Sequence, residues 1–202
     1  MKTRGYMSRL VMAITALLLM ACLLPGMIPL NSTPEGPLPT MEKDANKVIE
    51  VLKSNNYVRL EALAKEQYTE EDFAKPGTLT FTIKITDNTP TYFSYGWCAV
   101  DDQTLQNNFQ HIDVSLTFNG KKLGNDVVHT LSFTSGNNLR CGDFGVLMTD
   151  WPNGKYELKA IATFRDKIND GMADYAAGDY VFDYNVTVDK GASTSKTPSP
   201  SP

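Results

Sequence analysis

Thr91-Tyr92-Phe93-Ser94-Tyr95-Gly96-Trp97-Cys98-Ala99-Val100 is the stretch that decides the fold. It is rich in the aromatic and β-branched residues typical of a β-strand. A second hydrophobic run, Cys141–Met148, begins at the other cysteine that lies outside the leader. We predict that Cys98 and Cys141 form a disulfide that joins these two strands.

Three features of the sequence favour a disulfide over free thiols or a metal site. The N-terminus has the pattern of an export signal, so the folded part reaches an oxidising compartment. The chain has no C-x-x-C or H-x-x-x-H spacing for zinc, and His111 and His129 carry no signature of a catalytic cysteine's base. The closed loop of 44 residues would restrict the unfolded chain by about 4 kcal/mol.

Residues 1–22 have the features of a signal sequence. Lys2, Arg4 and Arg9 precede an apolar run that starts at Leu10. Leu19-Met20-Ala21-Cys22 resembles a bacterial lipobox, and this resemblance implies a cell-surface lipoprotein that is lipidated at Cys22. The alternative is an uncleaved anchor, because residues 10–30 are about long enough to span a bilayer. Both alternatives tether the protein to the cell membrane, facing outside.

The composition indicates one globular domain with tails and an acidic surface. The chain has 202 residues, 42% of them hydrophobic and 21% charged. Three of its 19 basic residues and none of its 23 acidic ones lie in the leader, which leaves a net charge of −7 after it. An acidic chain without a basic patch is a poor candidate for binding nucleic acid.

The hydrophobic pattern divides the rest of the chain into four parts. Residues 23–40 are predicted to be a Pro-rich linker, 41–76 a helical neck, 77–190 a β-sandwich and 191–202 a disordered Ser/Thr/Pro tail. The neck has two helical stripes, followed by a capped turn at Thr69, and it resembles the start of NTF2-like (SnoaL-type) domains. Because the period changes at Pro76-Gly77, we expect the sandwich to fold without the neck.

Alternating patterns after Gly77 predict a mainly β fold with about seven strands. Asn119-Gly120 indicates a type I′ hairpin turn, and the stretch between Asp101 and Asn108 is predicted to be a polar loop. Such a series of short strands and turns is typical of an antiparallel β-sandwich, in which the disulfide would join the second and fifth strands. The predicted strands lie near residues 78–86, 91–100, 111–118, 127–133, 141–148, 156–164 and 180–188.

One short motif resembles the immunoglobulin-like (Ig-like) family. Asn153-Gly154-Lys155-Tyr156 is similar to the G-x-Y "tyrosine corner" that begins the sixth strand of these domains. The resemblance implies an Ig-like sandwich over about 77–189. Leu158 stands in place of the second cysteine of antibody domains, so the chain is not of the antibody type.

The sequence does not predict an enzyme or a cofactor. His111 and Asp113 share one face of a strand, but no nucleophile accompanies them. Asp166, Asp170 and Asp174 are weak candidates for a calcium loop, in which Ile168 occupies a position that needs an oxygen ligand. A polar turn at Asn169-Asp170-Gly171 is the favoured interpretation.

Three aromatic residues are candidates for ligand binding. Tyr95 and Trp97 share one face of their strand, where Trp97 is expected in the core beside the disulfide. Trp151 precedes Pro152 in a turn and is expected to be more exposed. We predict a non-enzymatic binding or structural module with an unknown protein or glycan partner. The alternative is a carbohydrate-binding accessory module, which would show a row of exposed aromatic rings, whereas a protein binder would show an apolar patch or an open strand edge.

Overall fold

Strands dominate the structure, a computed structural model that describes residues 37–64 and 68–191. The fold is mainly β, as predicted. The described residues contain twelve strands, so the predicted count of about seven is not confirmed. They are β1 Thr40–Met41, β2 Val58–Arg59, β3 Gly77–Ile85, β4 Thr91–Ala99, β5 Ile112–Phe118, β6 Lys121–Lys122, β7 His129–Thr134, β8 Arg140–Thr149, β9 Gly154–Phe164, β10 Ile168–Asn169, β11 Asp174–Tyr175 and β12 Gly178–Val188.

Helical structure is confined to short segments. They are α1 Ala45–Ser54, a 3₁₀ helix over Leu60–Leu63, α2 Glu70–Phe73 and α3 Asp102–Phe109. No helix among the described residues is both long and apolar enough to cross a membrane. The predicted leader with Cys22 and the tail from residue 192 onward lie outside the described residues.

The strands form two main sheets. One has the order β1-β8-β4-β2, with β7 also paired to β8, and the other has the order β3-β12-β9-β5-β6. β3 runs parallel to β12, and β2 runs parallel to β4. The prediction of wholly antiparallel pairing is therefore wrong, because local alternation reports which face is buried and not which distant strand pairs.

Buried side chains from both sheets join in one hydrophobic cluster. The rings of Phe93 and Tyr184 lie 5.6 Å apart, and those of Trp97 and Phe164 lie 5.2 Å apart. Each pair joins β4 of the first sheet to a strand of the second. This shared core holds the two sheets together through apolar burial.

The predicted disulfide is confirmed. Cys98 and Cys141 lie directly opposite each other on the paired strands β4 and β8, with an S–S distance of 2.04 Å and Cα atoms 4.1 Å apart. The short Cα separation marks a pair without ladder hydrogen bonds between its two residues. The bond therefore joins neighbouring strands of one sheet.

Two of the three predicted helical segments are present. Asp44 caps α1 by accepting the Asn46 N–H at 2.9 Å, and Thr69 begins α2 with a capping box completed by Asp72. The second stripe, around Tyr57 to Ala64, is not an α-helix. Its first residues form β2 instead, because tertiary pairing with Thr91 and Tyr92 of β4 overrides the local pattern.

The segment before Gly77 contributes to the core. Val48 of α1 and Leu60 have no exposed surface. Thr40, at the end of the predicted linker, pairs with Thr149 of β8. The described residues form one compact unit.

A helix replaces the loop predicted after Asp101. The Asp101 side chain accepts the Thr104 N–H at 2.7 Å and caps α3, whose Leu105 is buried. Two sequence features could have indicated this helix: the N-cap residue Asp101, and the spacing of four residues between Leu105 and Phe109.

The Asn-Gly hairpin is confirmed, with φ of 49° at Asn119 and 75° at Gly120. Both positive values fit the type I′ turn. Its second strand is only the two-residue β6. β7, predicted as the next strand, instead pairs with β8 in the other sheet.

The hydrogen bond of a tyrosine corner is present at Tyr156. Its hydroxyl donates to the carbonyl of Pro152 at 3.0 Å. Tyr180 makes the same contact with Ala176, also at 3.0 Å. This second hydrogen bond was not predicted, although Gly178-Asp179-Tyr180 repeats the G-x-Y spacing.

Candidate functional site

Within residues 37–64 and 68–191, one edge of β4 has no neighbouring strand over most of its length. β8 pairs with the whole strand, but on the other side β2 reaches only Thr91 and Tyr92. The next strand-like contact on that side within residues 37–64 and 68–191 is the bond from the Val100 N–H to the Asp170 carbonyl at 2.9 Å. Residues 93–99 therefore have no strand partner on this side among the described residues, and the edge is exposed at Gly96, half-buried at Cys98 and buried at Ser94.

The register shows which backbone groups face this open edge. Cys98 and Cys141 form a pair without mutual ladder hydrogen bonds. Because this pattern repeats every two residues along an antiparallel pair, Gly96 and Ser94 also form no ladder hydrogen bonds with the residues opposite them on β8. Their N–H and C=O groups point away from β8. We call this surface, defined by Ser94, Gly96 and Cys98, the β4 edge.

Gly96 is the one exposed residue of β4. A Cβ placed there would meet Asp143 Oδ1 at 3.5 Å, an ordinary contact, so internal packing does not require glycine. Glycine inside a strand often marks a place where another backbone approaches closely. The missing side chain leaves the β4 edge accessible at its middle.

A cavity of about 450 Å³ opens beside the β4 edge, within the size range of known ligand sites. We call it the aromatic pocket. It lies between β4 of one sheet and strands β3 and β12 of the other, and six aromatic side chains line it together with smaller and acidic residues. The lining residues are Tyr68, Phe73, Phe81, Tyr95, Phe182 and Tyr184, with Glu61, Ala64, Glu70, Ser94 and Gly96.

Ring contacts hold the walls of the aromatic pocket. Phe73 stacks on Phe182 with centroids 6.1 Å apart, and Phe81 stacks on Tyr184 at 4.9 Å. Phe73 is nevertheless 43% exposed, so its ring is available to a ligand. The Tyr68 hydroxyl accepts the Thr80 N–H at 2.8 Å and donates to the Thr80 carbonyl at 2.9 Å, which closes the outer edge of β3 at that residue.

A partly buried ion pair borders the pocket at the end near β2. Arg59 Nη2 donates to Asp143 Oδ2 at 2.9 Å, and its Nη1 donates to Ser94 Oγ at 3.1 Å. Burial raises the pKa of the Asp143 carboxyl, and Arg59 opposes that rise. The other oxygen of Asp143, Oδ1, is buried without a hydrogen-bond partner among the described residues.

Removing the cation of this pair should be costly. We expect Arg59→Met to lower the free energy of unfolding by about 3 kcal/mol, because the Asp143 carboxyl stays buried without its partner. The deficit should shrink as the pH falls below the raised pKa of Asp143, since the neutral carboxyl is cheaper to bury. Urea unfolding at several pH values measures both effects.

Arg140→Met is the matched control for this prediction. Arg140 is 45% exposed and lies 3.7 Å from the exposed Asp102, so its loss should change stability by under about 1 kcal/mol. Equal stability of the two variants at neutral pH would contradict the importance of the Arg59–Asp143 pair.

The three aromatic residues predicted to bind ligand are all buried. The expected exposure of Trp151 is wrong: it is 2% exposed, and its Nε1 donates to Thr91 Oγ1 at 2.8 Å. Trp97 is in the core as expected, with its ring against Phe164 and Tyr175. Tyr95 is buried too, but it lines the aromatic pocket.

The three candidate aspartates do not converge. Asp166 contacts His111 Nδ1 at 2.9 Å, whereas Asp174 binds Lys167 Nζ at 2.8 Å. Asp170 is buried and accepts the N–H groups of Met172 and Ala173, which holds the turn between β10 and β11. Within the described part of the chain, no group of three His, Cys, Asp or Glu side chains is placed to hold a metal ion.

His111 and Asp113 are also held by other partners. His111 pairs with Asp166, and Asp113 lies 3.2 Å from Arg165 Nε. The arrangement matches surface ion pairs between exposed side chains.

Most residues of the aromatic pocket escaped the sequence analysis. Alternation predicts that Phe81 and Tyr184 point inward, and the structure has both in the core. No local signal indicates that the chain leaves an opening beside them. Phe73 is the last residue of the capped helix α2, and its position depends on contact with Phe182 of the distant strand β12.

Comparisons with known proteins find little. No family model matches the chain, and no curated protein matches it. The solved structures with weak similarity include "Structure of PbICP-C in complex with falcipain-2", which has 10% identity and a TM-score of 0.30 over 57% of this chain and 92% of that one. "Solution Structure of Amebosin", at 13% identity and a TM-score of 0.25, covers 55% and 96%. Likeness at this level carries no argument about fold or function.

Proposed function

We propose that this chain is a non-enzymatic binding module that captures an extended segment of a protein partner. The observation that carries the proposal is the β4 edge, whose outward N–H and C=O groups lie beside the aromatic pocket. An extended peptide adds to an open sheet edge through main-chain hydrogen bonds and places alternate side chains in neighbouring pockets. Both parts of this recognition mode occur together here.

A glycan partner has less support. A sugar-binding surface needs a row of exposed aromatic rings, whereas Trp97 and Trp151 are buried. Among the described residues, the large aromatic side chains with substantial exposure are Phe73 and Phe133. They lie at different sites, one in the aromatic pocket and one on β7.

The proposal includes an Ig-like β-sandwich as the scaffold. Without the two-residue strands, seven long strands remain, namely β3, β4, β5, β7, β8, β9 and β12. In this order the second and the fourth both pair with the fifth in one sheet. The third and the seventh both pair with the sixth in the other sheet. Ig-like domains pair their strands in this way. The tyrosine corner at Tyr156 and the shared core also support the assignment.

The proposal also places the module at the outer face of the cell membrane, tethered through the leader. Its support is the sequence pattern of residues 1–22, including the lipobox-like Cys22. A tethered module with an open strand edge can hold an extracytoplasmic protein close to the membrane.

A peptide-display experiment tests the proposed function. Linear peptides are selected from a random library for binding to the full chain in detergent. Their affinity for the Gly96→Lys variant should be at least about tenfold lower than for the wild type, because the new side chain obstructs the β4 edge. Gly136→Lys is the control: it adds the same charge at a turn where a Cβ meets no atom within 4 Å. Thermal unfolding verifies that both variants fold. Failure to select any peptide, or equal binding to both variants, would refute the proposal.

A further inference from the structure

The described residues at the rim of the aromatic pocket carry an excess of negative charge. Glu61 and Glu70 line it, and Asp143 lies directly behind Gly96. Arg59 borders the pocket, and it is closer to Asp143, at 2.9 Å, than to Glu61, at 3.6 Å. The described lining of the pocket therefore has two carboxylates and no basic side chain.

Neither carboxylate on the rim is fully compensated by a described residue. Glu70 forms no ion pair with another described residue, whereas its neighbour Glu71 pairs with Lys75 at 3.7 Å. The protein around Glu61 desolvates it and raises its pKa, although 42% of its side chain is accessible. A second cation near Glu61 would stabilise its charged form.

Asp143 adds a negative charge beside the pocket, although it does not line the pocket and is paired with Arg59. Its side chain is 2% exposed, and its Oδ1 has no partner among the described residues. Oδ1 lies 3.5 Å from the position of a Cβ on Gly96, and Gly96 itself lines the pocket. A buried acceptor without a donor carries a free-energy cost that positive charge nearby would reduce.

Aromatic rings supply the remaining element of cation recognition. The faces of aromatic rings attract ammonium and guanidinium groups by about 0.5–2 kcal/mol. Phe73, Phe182, Phe81 and Tyr184 stack in pairs around the pocket, and Phe73 is substantially exposed. Rings with carboxylates at the rim match a long side chain that carries a terminal cation on an apolar stem.

We infer that the aromatic pocket takes a lysine or arginine side chain of the segment bound at the β4 edge. This inference rests on the proposed function and adds a chemical class to it. The main chain of the partner supplies hydrogen bonds to Ser94 and Gly96. One of its cationic side chains passes beside Gly96 into the pocket and approaches Glu61 and Glu70.

Calorimetric titration of the full chain with three blocked nonapeptides tests the inference. The peptides have the sequence Thr-Ser-Thr-Val-Xaa-Val-Thr-Ser-Thr, in which Xaa is lysine, norleucine or glutamate. We expect the lysine peptide to bind about tenfold more tightly than the norleucine peptide, which has an uncharged chain of similar length, and the glutamate peptide to bind most weakly.

Protein variants identify the groups responsible. The double variant Glu61→Gln/Glu70→Gln should bring the lysine-to-norleucine ratio close to one, whereas Glu50→Gln, at an exposed position of α1, should leave it unchanged. Phe73→Ala should weaken the lysine peptide several-fold, and Phe133→Ala should not, although Phe133 is 45% exposed and closely matches Phe73 in exposure.

The outcomes separate the inference from the proposed function. If the norleucine peptide binds as tightly as the lysine peptide, the inference is wrong and the proposed function stands. The same holds if the lysine peptide does not bind while the protein binds a display-selected peptide that contains no Lys or Arg. If no nonapeptide binds and display selects none, both fall.

Discussion

A chain shortened to residues 77–190 should lack the sharp thermal transition that we expect of residues 37–191. The shortened chain lacks Leu60, which is completely buried in the core, and losing a buried leucine costs about 2–5 kcal/mol. It also lacks Arg59, which leaves the buried carboxyl of Asp143 unpaired at a cost of about 3 kcal/mol. Together these losses approach the whole stability of an ordinary domain, about 5–15 kcal/mol.

Differential scanning calorimetry of the two chains checks this expectation. The longer chain, which starts at the first described residue, is the control for removal of the leader. A sharp transition of the shortened chain within a few degrees of the control would contradict it. The helical segment would then be a separable neck, as the change of period at Pro76-Gly77 predicts.

The double variant Cys98→Ala/Cys141→Ala should be less stable by about 4 kcal/mol. The disulfide closes a loop of 44 residues. On the chain-entropy model, its loss raises the conformational entropy of the unfolded chain and so lowers the free energy of unfolding by that amount. Because the two residues face each other across β4 and β8, the folded sheet keeps its register in the variant.

Urea unfolding of the double variant and the oxidised protein measures this difference. Reduced wild-type protein is the control, since it loses the bond but keeps both sulfur atoms. It should match the variant within about 1 kcal/mol. An unchanged midpoint in both cases would show that the disulfide contributes nothing to stability.

Local alternation predicts the long strands because one face of each is buried. Phe81, Ile83 and Ile85 of β3 are predicted inward and are buried. The same pattern does not report that β3 runs parallel to β12, because pairing direction depends on contacts about 100 residues away along the chain. Val58 and Arg59 are wrongly predicted as helical for the same reason, since β4 sets their conformation.

Buried partners explain the error at Trp151. A tryptophan beside Pro152 in a turn has no local feature that indicates burial. Its environment comes from Phe118, Tyr156 and the Thr91 hydroxyl, which belong to three other strands. Sequence-local reasoning reaches the tyrosine corner at Tyr156 because the G-x-Y motif and its hydrogen bond lie within five residues.

The candidate site could not be predicted from the sequence, because it depends on where the pairing between distant strands ends. Gly96 lies in a strand whose alternation is correctly predicted, yet its accessibility follows from β2 ending at Arg59. Glu70 lies in a predicted capped turn, and its place at the pocket follows from the contact of Phe73 with Phe182. Neither relation leaves a local pattern.

The exchange rates of the Ser94 and Gly96 amide protons test the central claim most directly. In the full chain saturated with a display-selected peptide, these outward amides should exchange at least about tenfold more slowly than in the free chain, because they bond to the added strand. The amides of Phe93 and Tyr95, which face β8, should change little. Unchanged exchange at Ser94 and Gly96 under full peptide occupancy would contradict strand addition at the β4 edge.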